Sequence, residues 1–175
     1  MHVAIIGAGP LGRWLAFAAA RAGNTVSLED IMPSSLHHAQ EYLRQQLGPE
    51  ALPSVRFAAT IEDAVREADL AVDCVPDELE SKLEIFCLLD RMAPPKTVLV
   101  SPMKNVSIAD LASCTYRAEK CVALVADAQE LRDGHGAEVL LRTPPQVSGE
   151  TVGLVREFWT GLGFGVRVER DGEPD

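Results

Sequence analysis

The chain has 175 residues, with 16 Lys and Arg against 26 Asp and Glu for a net charge of −10. That length allows one domain, or one with an appendage, and 47% hydrophobic residues suffice for a real core. The acidity excludes nucleic acid and an anionic membrane surface as partners, and no apolar run is long enough to span a membrane. A strand pattern opens the chain directly, without a leader, so a cytoplasmic location is expected.

The first strand is Val3-Ala4-Ile5-Ile6, and Gly7-Ala8-Gly9-Pro10-Leu11-Gly12 follows it. Trp14, Leu15, Ala18 and Ala19 then mark an apolar helical face that Gly23 ends. Strand, G-x-G-x-x-G and helix in that order form the dinucleotide-binding fingerprint. Gly7 serves the tight turn, Gly9 lets a pyrophosphate approach the backbone, and Gly12 lets the helix lie close on the strand. The helix start offers free N–H groups and a partial positive charge, and Pro10 gives up no useful donor there. Thr25-Val26-Ser27-Leu28 is a second strand running into Glu29-Asp30. Asp30 is placed to accept hydrogen bonds from the adenosine ribose and to repel a 2′-phosphate, so NAD is expected over NADP.

A helix is expected from Pro33, with Leu36, Ala39, Tyr42, Leu43 and Leu47 at helical spacing; His37 and His38 are solvated positions on it. Val55 to Ala59 reads as strand three, and Thr60-Ile61-Glu62-Asp63 as the capped start of a short helix. Leu70 to Val75 is an almost wholly apolar fourth strand, buried on both faces. A helix carrying Leu79, Leu83, Phe86, Cys87 and Leu89 follows and stops at Pro94-Pro95. Thr97 to Val100 and Cys121 to Val125 are strands five and six, with a loop and short helix between them. A polar loop through Gly134-His135-Gly136, a strand over 138–141, a helix over 151–162 and a last strand over 165–168 complete residues 1–170, and 171–175 is a polar, frayed tail. Alternating strands and helices imply an α/β, doubly wound, mostly parallel sheet of the Rossmann type. Cys74, Cys87, Cys114 and Cys121 show no C-x-x-C spacing and read as reduced core cysteines, not as a disulfide or metal framework.

The stretch Ala68-Asp69-Leu70-Ala71-Val72-Asp73-Cys74-Val75-Pro76-Asp77-Glu78-Leu79-Glu80-Ser81-Lys82 resembles "aDlvieavpEnlelK" of the NAD-binding domain of 3-hydroxyacyl-CoA dehydrogenases. Glu84-Ile85-Phe86, Leu89-Asp90, Ala93-Pro94-Pro95 and Thr97 continue the likeness. The resemblance implies an oxidoreductase of hydroxyacyl metabolism with NAD as cofactor. It implies cofactor contacts at Gly7, Gly9, Pro10, Leu11 and Gly12 in the turn, at Asp30, and at Val75, Pro76 and Lys82.

The family's catalytic residues do not carry over. Where it has S-N-T-S after strand five, this chain has Ser101-Pro102-Met103-Lys104. Counted forward without a gap, the family's G-L-H-F-F-N-P falls on residues 123–129, so Val125 stands for the general-base histidine and Ala128 for the asparagine. Glu138 matches the glutamate that pairs with that histidine, after a one-residue shift, but here it has no imidazole to orient. The long basic arm after strand two and the C-terminal helical domain of the family have no counterpart in the sequence. A catalytically degenerate NAD(H)-binding protein is therefore expected, with no metal.

Two alternatives stand beside that reading. One is an active dehydrogenase or reductase on an acyl-CoA or another small substrate, with Lys104 binding an anionic or carbonyl oxygen, or with His135 as a relocated imidazole. The other is a non-enzymatic nucleotide sensor, or a subunit that docks on a separate helical partner or forms a homodimer. An open polar pocket around Lys104, Val125 and Glu138 favours the former, and a closed apolar surface the latter.

Overall fold

The computed structural model describes residues 1–126, 128–133 and 138–171. Eight strands, β1 (His2–Ile6), β2 (Thr25–Glu29), β3 (Val55–Phe57), β4 (Leu70–Asp73), β5 (Val98–Pro102), β6 (Cys121–Val125), β7 (Glu138–Thr143) and β8 (Gly165–Arg170), form one sheet. Their order is β3-β2-β1-β4-β5-β6-β7-β8, and every neighbouring pair is parallel except β6 with β7. The helices are α1 (Pro10–Arg21), α2 (Pro33–Gln46), α3 (Ile61–Val65), α4 (Leu79–Met92), α5 (Ile108–Ser113), α6 (Ala128–Asp133) and α7 (Gly149–Gly161).

The helices cover both faces, which is why β4 and β5 are buried end to end and read as apolar runs. One core layer joins α1, α2 and α7 to the sheet through residues such as Val3, Ile5, Leu15, Leu28, Leu43 and Trp159. The other joins α3, α4 and α5 through Ala4, Ile6, Ala64, Phe86, Leu89 and Leu111. Strand order reverses at β1, whose neighbours β2 and β4 are reached by crossovers to opposite sides. That switch point opens a crevice at the carboxyl ends of the strands.

Local capping chemistry sets several of these boundaries. Thr60 accepts the Asp63 amide at 3.1 Å, Ser107 caps α5 and Ser148 caps α7. Three details differ from the sequence expectation. The segment after β6 contains the short helix α6, whose six residues give too little periodicity to announce themselves. Asp171 is anchored, not frayed: its carboxylate accepts Ser107 Oγ at 2.6 Å and the Ala109 amide at 3.0 Å, and its own amide donates to Thr143 O. Of the cysteines, all free thiols, only Cys121 is buried outright; Cys74 and Cys114 are half-buried and Cys87 is exposed on α4. Burial pushes the Cys121 thiol up to about 11 and that of Cys114 to about 12, which keeps both protonated at neutral pH.

The tightest point of the fold lies under the glycine turn. A Cβ on Gly12 would stand 1.7 Å from the carbonyl oxygen of Gly7, a backbone atom that cannot swing away. Gly12→Ala is therefore expected to destabilise the protein by about 3 kcal/mol or more, as overpacking against backbone does at its severe end. Urea unfolding of the variant beside wild type measures it.

Candidate functional site

The crevice at the switch point is a cleft of about 910 Å³, a volume suited to a large ligand. Its floor is the glycine turn. Gly7 sits at φ +105, a left-handed conformation that L side chains rarely adopt, with its amide donating to Glu29 O at 2.8 Å. Gly9 is the N-cap of α1 and would meet nothing within 4 Å if it carried a Cβ, so the space above it is open. No acidic residue lies in the first turn of α1 and no side chain caps it, which leaves the positive end of the helix unsatisfied from within the chain.

Gly7, Gly9, Pro10, Leu11, Asp30, Val75, Pro76 and Lys104 all line the cleft. Gly12 lies beneath it and acts through helix packing. Asp30 reaches back over the turn: Oδ2 accepts the Ala8 amide and Oδ1 the Met32 amide, each at 2.7 Å. The carboxylate thus holds the glycine turn to the end of β2 while one side of it faces the cleft.

Two residues named from the sequence lie elsewhere. Lys82 is not on the cleft surface but 1% exposed beneath it, with Nζ donating to Asp73 Oδ2 at 3.2 Å and to Val75 O at 3.3 Å. Its position on α4 and the sheet register direct it under the strand ends, where Asp73 replaces solvent for it. Asp73 is itself fully buried and also accepts Ser101 Oγ at 2.9 Å and the Val75 amide at 3.0 Å. Burial pushes its carboxyl up from the usual range, opposed by the Lys82 ammonium and these hydrogen bonds. Glu138 is also outside the cleft lining; it is exposed at the start of β7, 3.5 Å from Arg167 Nε on β8. Among the described residues it is a carboxylate at the end of a strand, paired with its neighbour on β8. Val125 is half-buried at the end of β6, its neighbour Ala126 lines the cleft, and His135 lies outside the described residues.

At the β5 end, the Lys104 and Asn105 amides donate to Asp77 Oδ2 at 2.8 and 3.2 Å. Asp77 Oδ1 is buried without a partner among the described residues. Lys104 Nζ donates to Glu130 Oε1 on α6 at 2.7 Å. Sequence reasoning passed over Asp77, Glu29 and the apolar wall of Ile61, Ile85 and Leu88, which also line the cleft. Asp77 had a visible signal, the acid that follows the proline in the family stretch. The wall residues carried no mark in the sequence that set them apart from their neighbours.

The Asp73–Lys82 pair is expected to hold the cleft rim through Val75. Lys82→Met leaves a buried carboxylate without its cation and should cost about 3–5 kcal/mol, whereas Asp73→Leu together with Lys82→Met should recover much of that loss. A double-mutant cycle by chemical denaturation tests it, and additive losses would contradict the pairing.

The comparisons with known proteins agree with this geometry. The sequence pattern of the family described as 3-hydroxyacyl-CoA dehydrogenase, NAD binding domain, matches residues 2–124. A probable 3-hydroxybutyryl-CoA dehydrogenase of Bacillus subtilis is 27% identical over 136 residues, covering 70% of this chain and 47% of its own length. Mitochondrial hydroxyacyl-coenzyme A dehydrogenase of Sus scrofa is 30% identical over 141 residues, covering 70% and 45%. A 3-hydroxyacyl-CoA dehydrogenase structure from Archaeoglobus fulgidus superposes with a TM-score of 0.80 at 25% identity, over 99% of this chain and 57% of that one. The chain spans about half the length of the relatives it matches. No helix among the described residues is long and apolar enough to cross a membrane. With the glycine turn, the bare helix end and the acid after β2 gathered at one cleft, this chain belongs to the family of NAD-binding domains of 3-hydroxyacyl-CoA dehydrogenases.

Proposed function

We propose that the chain binds NAD(H) across the switch point and is a degenerate member of its family, unable by itself to turn over the family's hydroxyacyl or ketoacyl substrates. The open backbone above Gly9 supports the first half. The Leu11 and Gly12 amides would hold the pyrophosphate, Asp30 would accept from the adenosine ribose beside the apolar wall, and Asp77 and Lys104 would flank the nicotinamide half. Bound there, NAD supplies hydride transfer; the protein's part is to fix the ring and to handle the substrate's oxygen and proton.

That second part is what the residues lack. Oxidising an alcohol requires a base for the hydroxyl proton, and a positioned base contributes roughly 10²–10⁴ in rate. Val125 has no titratable group. A second reading rests on Lys104, which lines the cleft where the family has a serine. Its contact with the half-exposed Glu130 is a surface ion pair, worth little, which an incoming carboxylate or carbonyl oxygen would displace. A reductase acting on a small carbonyl compound would use that ammonium to polarise the oxygen.

Gly9→Val is expected to abolish NADH binding while unfolding shifts by about 1 kcal/mol or less. The new side chain meets nothing in the protein and φ of −64 suits it, but it occupies the phosphate position. Calorimetric titration beside a melting curve tests it, and unchanged affinity would reduce the fingerprint to a structural turn.

In an NADH-consumption assay with acetoacetyl-CoA, the chain is expected to be slower than an ordinary family member by at least 10²-fold. That factor corresponds to about 2.7 kcal/mol or more of lost transition-state stabilisation. Turnover within tenfold of such an enzyme would overturn the degenerate reading, and its loss in Lys104→Met would then establish the second.

A further inference from the structure

The last residue of β2 is a carboxylate with no visible purpose in the fold. Glu29 is only 6% exposed, yet it lines the cleft. No side chain or amide among the described residues donates a hydrogen bond to its carboxylate, and its oxygens are not among the fully enclosed orphans, so they open onto the cleft itself. Strand alternation fixes its direction. Val26 and Leu28 point into the α1/α2 layer, so Ser27 and Glu29 point to the α3/α4 side. Ile6, its register partner on β1, packs in that same layer. Asp30, one residue on, is turned back to the glycine loop by the Ala8 amide. The two acids therefore serve different places. Desolvation, and then the Asp30 charge, push the Glu29 carboxyl above its usual range, as befits an acid waiting for a donor.

We propose that Glu29 reads the base of the bound dinucleotide by accepting a hydrogen bond from the exocyclic amine of adenine. The inference rests on the NAD(H) reading above. The cleft that Glu29 lines is also lined by Ile61 of α3 and by Ile85 and Leu88 of α4, apolar side chains suited to the face of a flat ring, with Glu29 as a polar group. A ribose offers only hydroxyls and no flat face for such walls. Adenine offers both a π face and an N–H donor on one edge. Hypoxanthine presents a carbonyl oxygen at the same position, which would oppose the carboxylate.

The test is affinity for NADH against nicotinamide hypoxanthine dinucleotide (reduced form), with thermal melting of the unliganded protein alongside. Wild type is expected to prefer NADH by about tenfold or more, as sites built around a specific hydrogen bond reject analogues that lack it. Glu29→Gln presents an amide that can accept from the amine or donate to the carbonyl, and should bring the ratio to about one. Glu29→Val should also erase the preference, by weakening NADH. Both variants should melt higher than wild type without ligand, because each removes a buried, unpartnered carboxylate. NADH binding with no preference for adenine, or a preference that survives both substitutions, overturns the role of Glu29 and leaves the cofactor reading intact. Discrimination against the 2′-deoxyadenosine analogue that Glu29→Gln removes would assign Glu29 to the ribose and overturn the adenine reading. Failure of wild type to bind NADH at all overturns both.

Discussion

The site depends on how closely α1 can lie on β1. The Gly7 carbonyl occupies the space where residue 12 would otherwise place a Cβ, so the helix enters directly over the strand end and its first amides face the crevice. Two further contacts hold that approach. The Gly7 amide is bound by the Glu29 carbonyl, and the Ala8 amide by the Asp30 carboxylate, so the end of β2 clamps the turn from one side. From the other side, the Cys74 carbonyl would lie 2.9 Å from any Cβ on Gly7. The turn is thus pinned between β2 and β4. A helix end with no acid in its first turn and no capping side chain is then held rigidly toward whatever anion enters.

The second half of the cleft is organised by burial of charge. Asp73, Lys82 and Ser101 bring β4, α4 and β5 to one point, and Lys82 also holds the Val75 carbonyl. Such an ion pair contributes little net stability, because desolvating both charges offsets their attraction. Its effect is geometric: it fixes residues 75 and 76, which form the rim between the two halves of the crevice. Asp77, just beyond, ties that rim to the β5 loop through the Lys104 and Asn105 amides. The rim and the β5 loop are therefore one unit, and an alteration at Asp73 would be felt at Lys104.

How much of this was legible in the sequence follows from how local each determinant is. The glycine turn, Thr60 as a cap and the apolar run of β4 are written in consecutive residues, and the fold class follows from their alternation. The destination of Lys82 was not legible in the same way. Its place in the family stretch pointed to the cofactor, while its burial depends on Asp73 nine positions earlier and on Ser101 across the sheet. In the sequence Asp30 reads as the ribose acid, and Glu29 only as the residue before it. Only the strand register, and the amides that Asp30 finds, send them to opposite sides. Glu138 needed the antiparallel pairing of β7 with β6, and its own parallel partner β8, before Arg167 could be seen beside it. Non-local pairing decides each of these, and short-range pattern does not contain it.

The two ends of the cleft are built differently, and physical constraint sets what each tolerates. At the phosphate end almost every recognition element is backbone: the amides after Pro10, the left-handed Gly7 and the close contact at Gly12. Backbone recognition tolerates changes in side chains elsewhere, so it persists as long as the turn folds. At the β5–β6 end the cleft is lined by side chains such as Met103 and Lys104, which single substitutions alter. Val125 fills a half-buried place at the end of β6, in register with Leu140. Lys104 is likewise held by its backbone, through Asp77, independently of what its side chain offers a substrate. The scaffold therefore fixes the glycine turn independently of the side chains at the far end of the cleft, where Lys104 pairs with Glu130.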